Sequence, residues 1–338
     1  MNTNDILHQI KNKSTKNVYL FEGEEEYSKQ QTLLLLRKAL IPEGMEALNY
    51  ITLYNPTFSA LRDAAETVSF MADSRMVVVY ESPYLTASKT GDDNDFVKGC
   101  VAYLPHIPST TCVVFYVKGK ADTRKKLCKA LKKEEAIVSF SVLSDQEAIR
   151  WVERSLSKKE IAVTTQVAQK LVFTVGRDMA LLKQEMDKLL SYIQDRKVIT
   201  TNDIDAICTK STECTVFEMV DAQIMGKSIV TRALLKNMLR NGESPFGILS
   251  MFLRQYRILY QLRALLATNA NQSGYASLLG IPPFAVRKTK EHALRYSQEK
   301  LLSVYRYLLQ QEYALKSGGE SQEACVENAI LHISALLK

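Results

Sequence analysis

The stretch Gly23–Lys29, reading GEEEYSK, follows a short apolar run, Val18–Phe21, and leads into a helical pattern. Strand, glycine turn and helix are the setting of a phosphate-binding loop. In such a loop, spaced glycines free backbone N–H groups and a lysine reaches the terminal phosphates. Of the two glycines in the pattern G-x-x-x-x-G-K-[ST], only the first is present. Glu24, Glu25 and Glu26 crowd the place where an anion would sit, and Lys29 alone does not offset their charge. ATP binding is not expected here. Gly226–Lys227–Ser228 repeats a fragment of the pattern without the upstream glycine or the preceding strand, so it reads as a turn between helices. Glu81, after Val77–Val79, stands where a magnesium-organising acid would stand. With no phosphate to order an ion, it reads as a solvent-facing residue or a cap.

Other reactive side chains form no constellation. His8, His106, His292 and His332 make no H-E-x-x-H and no ligand pair with a cysteine. No G-x-S-x-G elbow is present. The six cysteines, at 100, 112, 128, 208, 214 and 325, contain no C-x-x-C and read as small buried hydrophobes. No catalytic, cofactor-binding or metal-binding residue is expected.

The elements that would position these residues fall into three segments. In 1–140, strand-like and helix-like patterns alternate, as in an α/β domain. Met76–Tyr80 and Thr111–Val117 are continuous apolar runs, suited to central parallel strands covered on both faces. Asn55–Pro56 reads as a helix cap, and Leu61, Ala64, Ala65 and Val68 as one helical face. Arg124–Lys133 reads as a helix with Leu127 and Leu131 inward, and Ile137–Phe140 as a last strand. Segment 141–210 is small and helical, with Met179–Ile193 its longest element. Segment 211–338 reads as a helical bundle. Its breaks fall at Asn241–Pro245, Gly280–Pro283 and Ser317–Gly319.

The 338 residues are 46% hydrophobic and 24% charged, which suits folded domains rather than a disordered chain. The net charge of +7 is concentrated: Lys118–Lys133 holds eight basic residues against Asp122 alone. No apolar run approaches the roughly 20 residues needed to span a bilayer. The polar opening, with Asn2, Asn4, Asp5, His8 and Gln9, does not read as a secretory segment. A reducing cytoplasm is the expected location.

Several stretches carry a family resemblance in order and spacing. They are YLFEGEEEY at 19–27, SFMADSRMVVV at 69–79, KGKADTRKKL at 118–127, GRDMALLKQEMDKL at 176–189 and TVFEMVDAQIMGK at 215–227. The last segment adds NGESPFGILSMFLRQYRILYQL at 241–262, IPPFAVRK at 281–288 and LLQQEYALKSG at 308–318. Together they resemble the delta subunit of the bacterial DNA polymerase III clamp loader, over essentially the whole chain.

The resemblance implies a Rossmann-like degenerate AAA+ module at 1–140, a small helical lid-like domain at 141–210 and a helical collar at 211–338. It implies a monomer when isolated, with partners in a loader: the sliding clamp, the ATPase and delta-prime subunits, and primed DNA. The chain would hold the clamp open without hydrolysing ATP. It would be a subunit of a DNA-directed DNA polymerase while contributing no nucleotidyltransferase chemistry itself. The family's clamp contact falls on Phe70–Met71, where an aromatic ring and a flexible thioether suit an apolar pocket. Serine and methionine stand where proline and a second aromatic or leucine are expected.

Arg124, Lys125, Lys126, Lys129, Lys132 and Lys133 form a solvated face, a contact to DNA phosphates or a contact to an acidic partner. Arg257 is a further candidate for an intermolecular contact, against an internal ion pair. The competing functions are an ATP-driven motor, against which the phosphate loop speaks, and an independent DNA-binding adaptor. The related delta-prime subunit would carry a Ser-Arg-Cys finger and a zinc-binding cysteine cluster, and neither is seen.

Overall fold

In a computed structural model describing residues 1–88, 90–91, 93–268, 274–317 and 321–337, the chain divides into two compact units. One comprises Met1–Ser144 with Asp178–Ala180; the other comprises Asp145–Arg177 and the chain from Leu181 onward.

The first unit runs α1 Thr3–Lys11, β1 Val18–Glu22, α2 Glu26–Leu40, α3 Glu46–Asn49, β2 Tyr50–Tyr54 and α4 Phe58–Glu66. It continues with β3 Arg75–Tyr80, α5 Asp95–Tyr103, β4 Thr111–Tyr116, α6 Lys126–Lys133 and β5 Ile137–Ser139. The strands form one parallel sheet in the order β2-β3-β4-β1-β5. Burial on both faces explains their unbroken apolar runs. Along β3, Val77 and Val79 pack with Leu61 and Ala65 of α4, Val97 of α5 and Leu131 of α6. Met76 and Val78 turn to the other face, towards Ile6 of α1 and Leu36 of α2. The two-residue period of a strand thus divides one run between two cores. Each fully buried Val, Leu or Phe contributes about 1.5–3 kcal/mol.

From Asp145 onward the elements are helices: α7 Asp145–Ser157, α8 Thr165–Val175, α9 Met179–Ile193, α10 Thr201–Ile207 and α11 Thr212–Ile224. Then come α12 Ser228–Arg240, α13 Pro245–Ala267, α14 Tyr275–Leu279, α15 Pro283–Leu294, α16 Gln298–Ser317 and α17 Gln322–Leu336. Thr200, Ser211 and Ser244 accept N–H groups at helix starts, and Pro245 occupies a first helical turn. Phe252, Tyr256 and Leu259 of α13 pack with Val304 of α16 and Ile330 of α17. Inside that core the Gln223 amide accepts from the Tyr256 hydroxyl (2.9 Å) and donates to the Ile330 carbonyl (2.9 Å). Gly226 lies in the turn between α11 and α12, as its sequence indicates. Gly318 and Gly319, read as the stop after α16, lie outside the described residues. The expected parallel-sheet α/β module and helical remainder are both present.

Three local expectations change. The cap of α4 is Thr57, whose hydroxyl accepts from the Ala60 N–H (3.3 Å), while Asn55 turns with a positive φ before it. α4 ends at Glu66, so Val68 does not continue its buried face and is 84% exposed. The basic helix starts at Lys126 rather than Arg124. Residues 122–125 form a turn, with the Lys125 N–H on the Asp122 carbonyl (3.1 Å) and the Asp122 carboxylate accepting from the Arg124 N–H (3.0 Å).

Candidate functional site

The loop after β1 is closed by its own chain. Gly23 has φ +116° and donates its N–H to the Gly119 carbonyl at 2.7 Å. A Cβ at this position would lie 2.1 Å from the Phe140 carbonyl oxygen. The glycine therefore answers to a close backbone approach within the fold. Glu25 is buried, and burial pushes its carboxyl pKa up. Lys29, at the position of a phosphate-reaching lysine, is fully buried. Its ammonium donates to the Val117 carbonyl (2.8 Å), pairs with Glu26 (2.9 Å) and lies 5.1 Å from the Tyr116 ring centre. Burial pushes the Glu26 carboxyl up, but hydrogen bonds from Lys29 and the Tyr116 hydroxyl outweigh it and hold the pKa below its ordinary value. Glu24 stays outside, 3.8 Å from Lys120. The cation of this loop thus neutralises a carboxylate and satisfies a buried carbonyl.

Between α4 and β3 the chain does the opposite and pushes apolar groups outward. Phe70 is 56% exposed and Met71 73%, with Val68 beside them in sequence. Burial of exposed apolar groups is favourable, so a concentration of them needs a physical reason to persist. Here the backbone is held. The Asn49 carboxamide, fully buried, accepts from the Phe70 N–H (2.8 Å) and donates to the Phe70 carbonyl (2.8 Å) and the Met45 carbonyl (3.0 Å). The Arg75 guanidinium, also buried, donates to the Thr67 carbonyl at 2.6 Å and reaches Val68 at 3.4 Å. Burial lowers its pKa. The Thr111 hydroxyl donates to the Ala65 carbonyl at 2.7 Å. Met71 takes a left-handed φ of +50°, unusual outside glycine and asparagine. Phe70 and Met71 therefore sit on a fixed turn, and Val68 adds a third apolar side chain that the helical spacing had assigned to the core.

The basic residues divide by their partners. Arg124 forms a two-point pair with Asp122 at 2.9 and 2.8 Å, which holds the Asp122 carboxyl at about 2. Lys125 donates to the Ser88 and Thr90 carbonyls (3.2 and 2.6 Å). Lys126 lies 3.8 Å from Asp93. Lys129, Lys132 and Lys133 are exposed, with no ion-pair partner among the described residues. In the second unit Arg254 pairs with Glu213 and reaches the Gly280 carbonyl (3.3 Å), whereas Arg257 is exposed with no ion pair among the described residues. Among the described residues, no cluster of three or more His, Cys, Asp or Glu is placed to hold a metal, and no helix is long and apolar enough to cross a membrane.

Three family models match the chain in sequence order. "DNA polymerase III, delta subunit" covers residues 19–141, a "middle domain" covers 144–206, and "DNA polymerase III delta subunit, C-terminal domain" covers 213–333. The chain belongs to the DNA polymerase III delta subunit family. It is 26% identical to DNA polymerase III subunit delta of Bacillus subtilis over 334 residues, spanning 97% of this chain and 96% of that protein. It is 22% identical to a probable DNA polymerase III subunit delta of Aquifex aeolicus, over 84% of this chain and 81% of that one. Among solved structures it is similar to the Bacillus subtilis DNA clamp loader delta protein, with TM-score 0.56 and 25% identity over 98% and 99% of the two chains.

In this delta-family chain, the family resemblance put forward Phe70 and Met71 as a candidate pair, while neither Asn49, which holds the Phe70 backbone, nor Arg75, which holds the Thr67 and Val68 carbonyls, was singled out from the sequence. Asn49 acts 21 residues away along the chain, and a lone asparagine at the end of a four-residue helix gives no local signal. Arg75 carries a faint one: a cation opening the apolar run Met76–Tyr80 must find acceptors once the strand is buried.

Proposed function

We propose that this chain is the subunit of a bacterial clamp loader that grips the sliding clamp. Phe70 and Met71, flanked by Val68, enter an apolar pocket on the ring and hold one of its interfaces open for loading onto primed DNA. The observation that carries the reading is an apolar tip kept outside by buried polar groups that fix its backbone. A pocket that fits the tip only when the ring is strained open shifts the ring towards that state, and no bond has to break.

ATP bound by neighbouring subunits drives the cycle in this reading, since Lys29 and Gly23 here serve the fold. The working partners are the ATPase and delta-prime subunits, in the cytoplasm, and polymerisation itself lies with another chain. Segment 1–140 would carry the clamp contact, 141–210 a lid-like domain and 211–338 the collar. Lys129, Lys132 and Lys133 are the residues left free for DNA phosphates or an acidic partner surface, with Arg257 as a further contact.

The test is binding of the isolated chain to a bacterial sliding clamp, with Phe70→Ala and Met71→Ala made singly and together. Burying what remains exposed of the two side chains yields roughly 1–2 kcal/mol each. The double substitution should then weaken binding roughly thirtyfold to several-hundredfold. Parental affinity in the double variant would remove the tip from the contact.

A further inference from the structure

We propose that Asn49, backed by Arg75, is a positioning residue that presets the Phe70–Met71 tip in its partner-binding shape. The proposal rests on the docking reading above.

The geometry singles out a carboxamide. The Phe70 peptide groups offer one N–H and one carbonyl, and Asn49 meets both at 2.8 Å while also capping the Met45 carbonyl at 3.0 Å. Only a side chain with an acceptor and two donors on one planar head satisfies all three. Aspartate has the same shape and keeps the acceptor, but its second oxygen would face two carbonyls. The Arg75 guanidinium does the same work at the other end of the turn, on the Thr67 and Val68 carbonyls. Met71, directly after the Asn49-held Phe70, takes φ +50°, which an unrestrained chain seldom visits.

A turn released from Asn49 samples many shapes, of which few present both apolar side chains together. Binding then requires ordering the turn again, and the affinity falls by the fraction of chains in the competent shape. Two lost hydrogen bonds of ordinary net strength set that fraction at roughly one in ten to one in thirty.

The experiment measures sliding-clamp affinity for the full chain, Asn49→Ala, Asn49→Asp, Phe70→Ala/Met71→Ala and the triple variant combining Asn49→Ala with both tip changes. Asn49→Ala and Asn49→Asp should each weaken binding by roughly tenfold to thirtyfold. The triple variant should bind no more weakly than the tip double. Equal losses from Asn49→Ala with and without the tip would assign Asn49 to general stability and overturn the proposal. So would unchanged affinity in Asn49→Ala while the tip double is weak. Parental affinity in the tip double would overturn the docking reading instead. Amide exchange of Phe70 in the unsubstituted free chain gives an independent readout. Strong protection supports a preset turn, and exchange at the rate of an unstructured chain contradicts it.

Discussion

Replacing Gly23 by alanine tests whether that glycine serves the fold. Its φ of +116° lies where a side chain is strained, at a cost of about 1–3 kcal/mol. The added Cβ would also stand 2.1 Å from the Phe140 oxygen and 2.7 Å from its carbonyl carbon, so the backbone must move. That oxygen accepts from the Glu25 N–H at 3.1 Å, a bond put at risk by the movement. Overpacking of this kind costs about 1–3 kcal/mol and the hydrogen bond about 1 kcal/mol more. Gly119, its bridging partner, has φ +79°, and a Cβ added there would meet nothing within 4 Å, so Gly119→Ala bears only the conformational cost. Gly23→Ala should therefore destabilise the first unit by about 2–4 kcal/mol more than Gly119→Ala. Hydrogen exchange reads the difference at the Leu20 and Phe140 amides, which bond to Ala136 and Glu22 across β1 and β5. They should exchange roughly thirtyfold to several-hundredfold faster in Gly23→Ala than in Gly119→Ala. Equal exchange in the two variants would refute the reasoning.

Two further outcomes follow from charge. Arg196 and Thr200 hold the Asp203 carboxyl at about 2 through hydrogen bonds that include one of 2.8 Å from Arg196. A depressed folded pKa adds stability above the unfolded value near 4, and this is lost as pH falls towards about 2. Melting curves from pH 5 downward should thus decline less steeply for Asp203→Asn than for the parent, and superimposed slopes would contradict the assignment. In the assembled loader, Lys129→Glu, Lys132→Glu and Lys133→Glu together should flatten the dependence of DNA affinity on salt by up to about 0.9 in log–log slope per lost phosphate contact. An unchanged slope would remove the DNA contact and leave the three lysines to solvent or an acidic partner surface.

Much of the fold was legible because long periodic runs dominate local exceptions. Met76–Tyr80 suited a strand buried on both faces and falls in β3, and Met179–Ile193 emerged as α9 with those bounds. The failures occur where one distant polar group overrides local spacing. Val68 fits the helical face of Leu61 and Ala65, yet Arg75 draws the Thr67 and Val68 carbonyls out of the helix. Arg124 fits the basic helix, yet Asp122 binds its N–H and its guanidinium in a turn. The acidic loop at 24–26 was read from its charge alone. Burial of Lys29 and the Gly23 approach to Phe140 were invisible, because both depend on β4 and β5, about 90 or more residues further on. The tip itself came from family resemblance; the bonds from Asn49 to the Phe70 backbone came only from the structure.

The account stands or falls on whether an apolar side-chain pair on a fixed turn forms the contact to the ring. Calorimetric titration of a bacterial sliding clamp into the free chain and into Phe70→Ala/Met71→Ala measures this directly. The account requires the double variant to bind at least roughly thirtyfold more weakly, with a smaller heat-capacity change from the lost apolar burial. Identical affinity and heat capacity in a folded double variant would contradict it.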